Sequence, residues 1–247
     1  MIGIGIVGLP NVGKSTLFNA ITKTQNAEAA NYPFATIEPN IGMVSVPDVR
    51  LEELAKIINP QRTLGATVEF TDIAGLVRGA SKGEGLGNQF LTNIRNTAAI
   101  CQVVRCFDDP NIVHVEGSVD PIRDIETINT ELVFADLDTV DRALQKNVKL
   151  ARGGNTEAKD LVAVLEKCKA ELEEFRLLKN LSFDDKEEDL LKTYQLLTKK
   201  PMMFAVNVSE EDLAIGTNEY VEKVREFSKQ YDSEVVVFSA KVESELI

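Results

Sequence analysis

One short run near the amino terminus constrains the fold of this chain more than any other feature of its sequence. Residues 8–15 read Gly-Leu-Pro-Asn-Val-Gly-Lys-Ser and match the pattern GxxxxGK(S/T). The run follows an apolar stretch, Ile2–Val7, that is typical of a β-strand, and it precedes Leu17, Phe18 and Ile21, which are spaced as on one face of a helix. A strand, a glycine-rich turn and a helix in this order predict a phosphate-binding loop in a mostly parallel sheet.

The rest of the chain contains further apolar runs that alternate with helical patterns. Runs of strand length lie at 67–71, 100–107, 202–206 and 235–238, and helical spacing occurs at 49–58 and 219–231. Near-continuous apolar strands that alternate with helices favour a sheet buried on both faces. We therefore expect an α/β fold of the P-loop nucleoside triphosphatase class, with helices on both faces of a mostly parallel sheet.

A purely helical section interrupts this alternation. One apolar series with spacings of three and four comprises Val133, Leu137, Val140 and Leu144, and a second comprises Leu161, Leu165, Cys168, Leu172 and Phe175. Gly153, Gly154 and Asn155 lie between them and suit a turn. The pattern predicts an inserted antiparallel coiled-coil hairpin, and two ordinary amphipathic helices packed on the sheet are the alternative. A further helix is expected over 182–197.

The helical section divides the sheet-forming sequence into two parts. We expect residues 1–128 to form the first part of a nucleotide-binding G domain, residues 129–199 to form the helical insertion, and residues 200–247 to complete the domain.

Composition excludes several classes of protein. The formal net charge of −12 argues against broad nonspecific binding to nucleic acid, because attraction to phosphates needs clustered Lys and Arg. The three cysteines have neither disulfide nor metal-ligand spacing, which is typical of a reducing compartment. No apolar run approaches the roughly 20 residues of a membrane-spanning helix. We expect a soluble, cytoplasmic protein that does not insert into membranes.

The glycine-rich run is expected to bind a triphosphate and its magnesium ion. Main-chain N–H groups of the loop and of the following helix can surround the phosphate oxygens. Lys14 adds a positive charge near the transferred phosphate, and the Ser15 hydroxyl can bind Mg²⁺. The residues predicted to contact the nucleotide here are Asn11, Val12, Gly13, Lys14, Ser15 and Thr16.

A second motif, Asp72-Ile-Ala-Gly75, comes directly after the predicted strand at 67–71. The Asp72 carboxylate can hold Mg²⁺ directly or through water, and the N–H of Gly75 can bind the terminal phosphate. Thr36, between the two motifs, is expected to give Mg²⁺ a second hydroxyl, and an ordinary loop threonine is the alternative. This second motif indicates the GTPase branch of the fold, in which the segment changes conformation with the nucleotide.

Asn207, Val208 and Glu210, in the sequence Asn-Val-Ser-Glu, are expected to contact the base. GTPases of this branch have Asn-Lys-x-Asp here, and the aspartate accepts two hydrogen bonds from guanine. Val208 replaces the lysine, and Glu210 is one methylene longer than aspartate, which displaces the acceptor and leaves guanine donors unpaired. We therefore predict ATP as the preferred substrate and GTP as a weaker one. Ser239 and Ala240 are expected to close over the base through main-chain contacts, and an ordinary strand exit is the alternative.

The residue that positions the attacking water is not evident from these motifs. Leu76 stands where Ras-like enzymes have a glutamine, and leucine cannot orient water. The only histidine, His114, is one candidate for this role, and a solvated loop histidine is the alternative. The glycine-rich stretch 79–87 is expected to be a mobile switch. The sequence leaves open whether K⁺ assists hydrolysis.

Together these motifs resemble the YchF subfamily of Obg-like ATPases, within the translation-factor-related GTPases. The resemblance rests on residues 8–15 (GLPNVGKS), 31–40 (NYPFATIEPN), 72–87 (DIAGLVRGASKGEGLG) and 207–210 (NVSE). It implies an enzyme built like a GTPase that hydrolyses ATP slowly without the usual glutamine. It also implies ribosome binding and a link to stress responses. Members of the subfamily carry a further TGS domain, which we expect this chain, ending at Ile247, to lack.

Three functions are compatible with these residues. The leading hypothesis is slow ATP hydrolysis that switches conformation with the bound nucleotide. The alternatives are a GTPase with relaxed base specificity and a binding module that holds the nucleotide without cleaving it. Lys146, Lys149 and Arg152 near the hairpin turn suit contact with ribosomal RNA or an acidic partner, and a solvated helix end is the alternative. The sequence does not predict the oligomeric state.

Overall fold

Six strands form one sheet in the part of the chain that the computed structural model describes, residues 2–23, 40–73, 79 and 86–246. The strands are β1 (Ile2–Val7), β2 (Asn40–Ser45), β3 (Thr67–Asp72), β4 (Ala99–Arg105), β5 (Met202–Asn207) and β6 (Val235–Phe238). Their order across the sheet is β2-β3-β1-β4-β5-β6. Neighbouring strands are parallel except β2 and β3, which are antiparallel. The predicted mostly parallel sheet is therefore confirmed.

Helices connect and cover these strands. The α-helices of the described residues are α1 (Lys14–Lys23), α2 (Val49–Ile58), α3 (Leu86–Arg95), α4 (Pro121–Arg152), α5 (Thr156–Glu173), α6 (Asp185–Leu191), α7 (Glu210–Ile215), α8 (Glu219–Lys229) and α9 (Ala240–Glu245). Helices α1, α4 and α8 pack against strands of the sheet, which confirms the α/β class. No helix in this described part of the chain is long and apolar enough to cross a membrane.

The central strands are apolar because both faces of the sheet are covered. Ile6 and Val7 in β1, Val103 and Val104 in β4, and Phe204 in β5 are at most 3% exposed. Parallel strands direct their carboxyl ends to the same edge of a sheet, where ligands of open α/β sheets bind. The predicted functional motifs follow the carboxyl ends of β1, β3, β5 and β6, so the fold gathers them at that edge.

The two long helices α4 and α5 pack against each other through the predicted apolar series. Val140 of α4 and Leu165 of α5 are fully buried, and the turn at 153–155 reverses the chain between the helices. The antiparallel helical hairpin is therefore present, while its supercoiling stays a prediction. Because α4 begins at Pro121, the helix continues across the domain boundary predicted after residue 128.

The prediction of one helix over 182–197 is wrong. Helix α6 is shorter, and Gln195 has a φ of +48°, which is incompatible with a continuing α-helix. The N–H groups of Leu197 and Thr198 donate instead to the carboxylate of Asp136 in α4, at 2.9 and 2.8 Å. Asp136 is completely buried, so these amides supply hydrogen bonds that its carboxylate requires. Local spacing could not reveal so distant a partner.

Candidate nucleotide-binding site

Loops at the carboxyl edge of the sheet surround a cleft of about 740 Å³. Predicted nucleotide contacts that line this cleft are Asn11, Gly13, Thr16, Asn207, Val208, Glu210, Ser239 and Ala240. They come from turns after β1, β5 and β6, which are far apart in the sequence. The cleft has the size of an ordinary small-molecule site, roughly 300–1,000 Å³. The fold therefore brings the predicted contacts together, while the role of each remains a prediction.

Two glycines of the phosphate loop are required by close contacts. A Cβ atom on Gly13, whose φ is +102°, would lie 2.5 Å from Nδ2 of Asn207. A Cβ atom on Gly8 would lie 2.5 Å from the carbonyl oxygen of Val103 in β4. The loop thus packs directly on neighbouring strands and leads into the amino terminus of α1, where main-chain N–H groups are free to bind an anion.

Lys14 is buried within this loop, although lysine is rarely buried. Its side chain is 7% exposed, and its Nζ donates a hydrogen bond to the carbonyl oxygen of Leu9 at 2.7 Å. Burial lowers the pKa of Lys14 to about 8, and the nearby charge of Asp72 opposes that shift. The ammonium group is therefore held beneath the loop with little solvation, so a phosphate anion would stabilise its charged form.

Asp72, the last residue of β3, carries a buried oxygen without a partner. The residue is 8% exposed, and among the described residues none donates a hydrogen bond to its Oδ1. An unpaired carboxylate oxygen in a buried position is costly unless a cation or donor binds it. Together with the exposed Ser15 hydroxyl, this oxygen fits the hard oxygen ligands that Mg²⁺ prefers. Thr36 and Gly75, predicted to complete the site, lie outside the described residues, as does Leu76.

The predicted metal site is not built as a cage of protein side chains. Within residues 2–23, 40–73, 79 and 86–246, no group of three or more His, Cys, Asp and Glu side chains could hold a metal ion. Magnesium sites at bound nucleotides commonly use one or two protein ligands, with water and phosphate oxygens completing the coordination. Ser15 and Asp72 suit such a site.

Asn207 joins the phosphate loop to the last loop of the sheet. Its Nδ2 donates to the carbonyl oxygen of Val12 at 3.0 Å, and its Oδ1 accepts from the N–H of Ala240 at 2.9 Å. The side chain is 4% exposed, so both hydrogen bonds are shielded from water. Asn207 therefore ties the phosphate loop to the loop that follows β6.

The predicted base-contacting residues differ in how far they reach into the cleft. Val208 is 2% exposed, and its N–H donates to Phe238 at 2.9 Å, so it contributes chiefly a small apolar patch. Glu210 begins α7, and its carboxylate pairs with Lys241 at 3.1 Å. Both side chains of this pair are substantially exposed, so the interaction is weak. The structure thus places Glu210 at the mouth of the cleft, opposite Lys241.

His114 is not a solvated loop residue. It is buried, its Nε2 lies 2.8 Å from Oδ2 of Asp124, and its Nδ1 accepts a hydrogen bond from the N–H of Glu116 at 3.2 Å. These bonds fit the neutral ring with its proton on Nε2. Both ring nitrogens therefore stabilise the loop that joins β4 to α4. Its predicted role in positioning water stays untested and would require the ring to give up one of these partners.

Known proteins share this combination of sheet and loops. Residues 3–167 match the model of a protein family described as 50S ribosome-binding GTPase. The solved structure of the Schizosaccharomyces pombe YchF GTPase is 40% identical in sequence and superposes with a TM-score of 0.83, covering 99% of this chain and 67% of that one. This chain belongs to the YchF family.

Bacterial members of the YchF family are also similar in sequence. The ribosome-binding ATPase YchF of Escherichia coli O157:H7 is 56% identical over 98% of this chain, and that of Bacillus subtilis (strain 168) is 52% identical over 98%. The chain spans 66% of the length of each of these relatives. What their names state about ATP and ribosomes therefore describes longer proteins.

Sequence reasoning missed several residues that line the cleft of this YchF-family chain. Phe107, Asp108, Asp109 and Ile112 form its wall after β4. One clue was available, because ligands of open parallel sheets bind beyond the carboxyl ends of the strands and the predicted strand 100–107 ended in this region. No local motif marks the wall residues, however, because they belong to an irregular loop.

Proposed function

We infer that this chain binds a nucleoside triphosphate with Mg²⁺ and hydrolyses it slowly, as a nucleotide-dependent switch. The observation that carries this inference is the pair formed by the buried ammonium of Lys14 and the unpartnered buried oxygen of Asp72. A phosphate–magnesium complex supplies an anion for the Lys14 ammonium and a cation for the Asp72 carboxylate. Buried groups of opposite charge that can gain further partners from a ligand are typical of a binding site.

Each residue then has a defined task. The N–H groups at residues 11–16 and the Lys14 ammonium bind the phosphate oxygens, and Ser15, Asp72 and Thr36 hold Mg²⁺. When bound, Mg²⁺ neutralises negative charge on the phosphates. Gly75 contacts the terminal phosphate through its N–H, so that loss of this phosphate releases the segment after β3. K⁺ is a further candidate for the phosphate site, since the usual glutamine is absent.

ATP is proposed as the preferred nucleotide, with GTP bound more weakly. The names of the relatives differ on this point, because the bacterial proteins are called ATPases and the S. pombe structure is titled a GTPase. Glu210 at the cleft mouth is paired with Lys241, and Val208 is apolar. Neither residue presents the short carboxylate and lysine stem that guanine recognition uses. The measured affinities of the nucleotide-free protein for ATP and for GTP decide which nucleotide is preferred.

The double substitution Glu210→Asp with Val208→Lys is expected to move the preference toward GTP by about tenfold. The shorter carboxylate would meet the guanine donors, and the lysine stem would cover the base. The measurement is the ratio of the two dissociation constants by isothermal titration calorimetry, with Glu211→Asp as the matched control. An unchanged ratio would contradict this account of base choice.

Triphosphate affinity is expected to fall with rising pH because of Lys14. In the free protein its pKa is about 8, and the bound phosphate should raise that pKa, so binding above pH 8 takes up a proton. The charged form is thus lost as pH rises through about 8, and affinity should be roughly tenfold weaker at pH 9 than at pH 7. Fluorescence titration with a labelled ATP analogue measures this profile. Lys14→Arg, which stays charged, should give a flatter one.

Ribosome association and a cytoplasmic location are part of the proposal, because the matching family and the bacterial relatives carry ribosome binding in their descriptions. Release of inorganic phosphate from ATP, measured with and without ribosomes and with K⁺ or Na⁺, tests the enzymatic part. Turnover that ribosomes stimulate supports the switch. Tight ATP binding without turnover under every condition would instead favour the binding module.

A further inference from the structure

Arg105, the last residue of β4, is a buried cation whose described partners are main-chain carbonyl groups. It is 2% exposed. Its Nε donates to the carbonyl oxygen of Phe107 at 3.1 Å, its Nη1 to that of Ile112 at 2.9 Å, and its Nη2 to that of Asp109 at 3.1 Å. A buried charge is costly unless hydrogen bonds satisfy it, so these three contacts are strongly favoured over any arrangement that breaks them.

All three carbonyl groups belong to one short segment, residues 107–112, which we call the β4 loop. The guanidinium carbon also lies 4.8 Å from the centre of the Phe107 ring. A guanidinium presents its donors in a rigid planar fork, so three acceptors on the same loop fix the loop's conformation as well as its position. Lysine has a single donor atom and cannot reproduce this geometry.

The β4 loop forms one wall of the nucleotide cleft. Phe107, Asp109 and Ile112 line it across from the segment that begins at Asn207. Arg105 of β4 and Asn207 of β5 are paired in the register of these two strands. The β4 loop and the segment that begins at Asn207 therefore start from adjacent positions. The wall thus begins beside the segment that is predicted to contact the base.

The β4 loop has weaker tethers at its surface. The Tyr220 hydroxyl donates to Asp108 at 2.9 Å, and directly after the loop the carbonyl oxygen of Val113 accepts from Asn11 of the phosphate loop at 3.3 Å. Both contacts are exposed to water, which lowers their value relative to buried hydrogen bonds. Arg105 is thus the buried anchor of residues 107–112, while the buried contact of His114 with Asp124 holds the part of the same connection that follows.

We propose that Arg105 is a positioning residue that sets the shape of the base-binding wall. It contributes to affinity for the nucleoside part of the ligand and leaves affinity for the triphosphate part almost unchanged. This inference rests on the proposed nucleotide binding. It assigns to Arg105 a task that no sequence motif marks, because the residue never faces the cleft and acts only through the loop carbonyl groups.

The test compares Arg105→Met and Arg105→Lys with the unchanged chain, using nucleotide-free protein. Dissociation constants are measured for MgATP and for magnesium tripolyphosphate, which carries the phosphates without a nucleoside. For Arg105→Met we expect MgATP binding to weaken about tenfold, because the preorganised wall is lost. Tripolyphosphate binding should change less than about twofold, because the phosphate loop is kept. Arg105→Lys should give an intermediate loss for MgATP. Arg142→Met, on the exposed surface of α4, is the control and should change neither constant.

Equal weakening for MgATP and tripolyphosphate would overturn the inference, because it would show a general loss of structure. Unchanged MgATP binding in a folded Arg105→Met protein would overturn it as well. Thermal unfolding identifies a variant that does not fold. If Arg105→Met does not fold, the inference is judged from Arg105→Lys, by the ratio of its dissociation constants for MgATP and for tripolyphosphate. Failure of the unchanged chain to bind MgATP would refute the proposed function itself, which is a different outcome.

Discussion

Replacing Lys14 by alanine is expected to weaken MgATP binding at least about a hundredfold and to abolish measurable phosphate release. The buried ammonium is the protein group proposed to donate charge-assisted hydrogen bonds to the phosphates, and such bonds are among the strongest available in a poorly solvated site. Alanine also leaves the phosphate charge without compensation there. Isothermal titration calorimetry and a phosphate-release assay measure the two effects.

The fold should survive this substitution. Lys14 is buried at a cost, as the lowering of its pKa to about 8 shows, and its described hydrogen bond goes to a loop carbonyl of Leu9. Removing the charge relieves that cost, so the free energy of unfolding should change little. Lys223→Ala, an exposed residue of α8 that pairs with Glu219, is the matched control and should bind MgATP normally. Undiminished MgATP binding by Lys14→Ala would refute the whole assignment of the cleft.

Asp72→Asn is expected to remove the effect of Mg²⁺ on ATP binding and to reduce turnover about a hundredfold or more. Asparagine has nearly the same shape as aspartate but no negative charge, and only one of its two terminal atoms is an acceptor. The Oδ1 atom of Asp72, to which no described residue donates a hydrogen bond, is the oxygen best placed to bind a cation. Titrations with ATP in the presence of Mg²⁺ and in the presence of EDTA measure the effect of Mg²⁺ on ATP binding. Asp141→Asn, at a half-exposed residue of α4, is the control.

The same substitution should make the unliganded protein slightly more stable. A buried carboxylate oxygen without a partner costs roughly 1–3 kcal/mol, and the neutral amide of asparagine is easier to bury. Thermal unfolding without ligand should therefore show an unchanged or higher midpoint. Residues of binding sites commonly lower the stability of the unliganded protein in this way. A full Mg²⁺ dependence in Asp72→Asn would show that another group holds the metal.

Most of the phosphate end could be predicted because its determinants are contiguous in the sequence. The strand Ile2–Val7 is found with the predicted bounds, and the helix after the glycine-rich run begins at Lys14. Gly13 is needed for both its φ of +102° and its contact with Asn207, and the motif alone implied a tight approach. The helix Val49–Ile58 also matches, because Asn59 in left-handed geometry ends it just before Pro60.

Other elements depended on partners that the sequence does not place. The antiparallel edge strand β2 and the helix α3 were not predicted, because β2 has few buried residues and α3 follows a glycine-rich stretch. The helix predicted over 182–197 is interrupted because amides near its end bind Asp136. His114 lies in a loop as predicted, but the alternative of a solvated ring is wrong, because Asp124 of α4 holds the ring in a buried position.

The sequence by itself determined the βα unit of the phosphate loop and the mostly parallel sheet, and it marked Lys14, Ser15 and Asp72 as candidate ligands, since each follows from local periodicity or from residues a few positions apart. Only the tertiary structure decided which side chains bridge the cleft and which form its walls. Asn207 acts through hydrogen bonds to Val12 and Ala240, which are distant in the sequence, whereas Arg105 acts on the irregular loop that directly follows it. Such contacts are selected by burial and by the geometry of the assembled sheet, and no spacing along the chain encodes them.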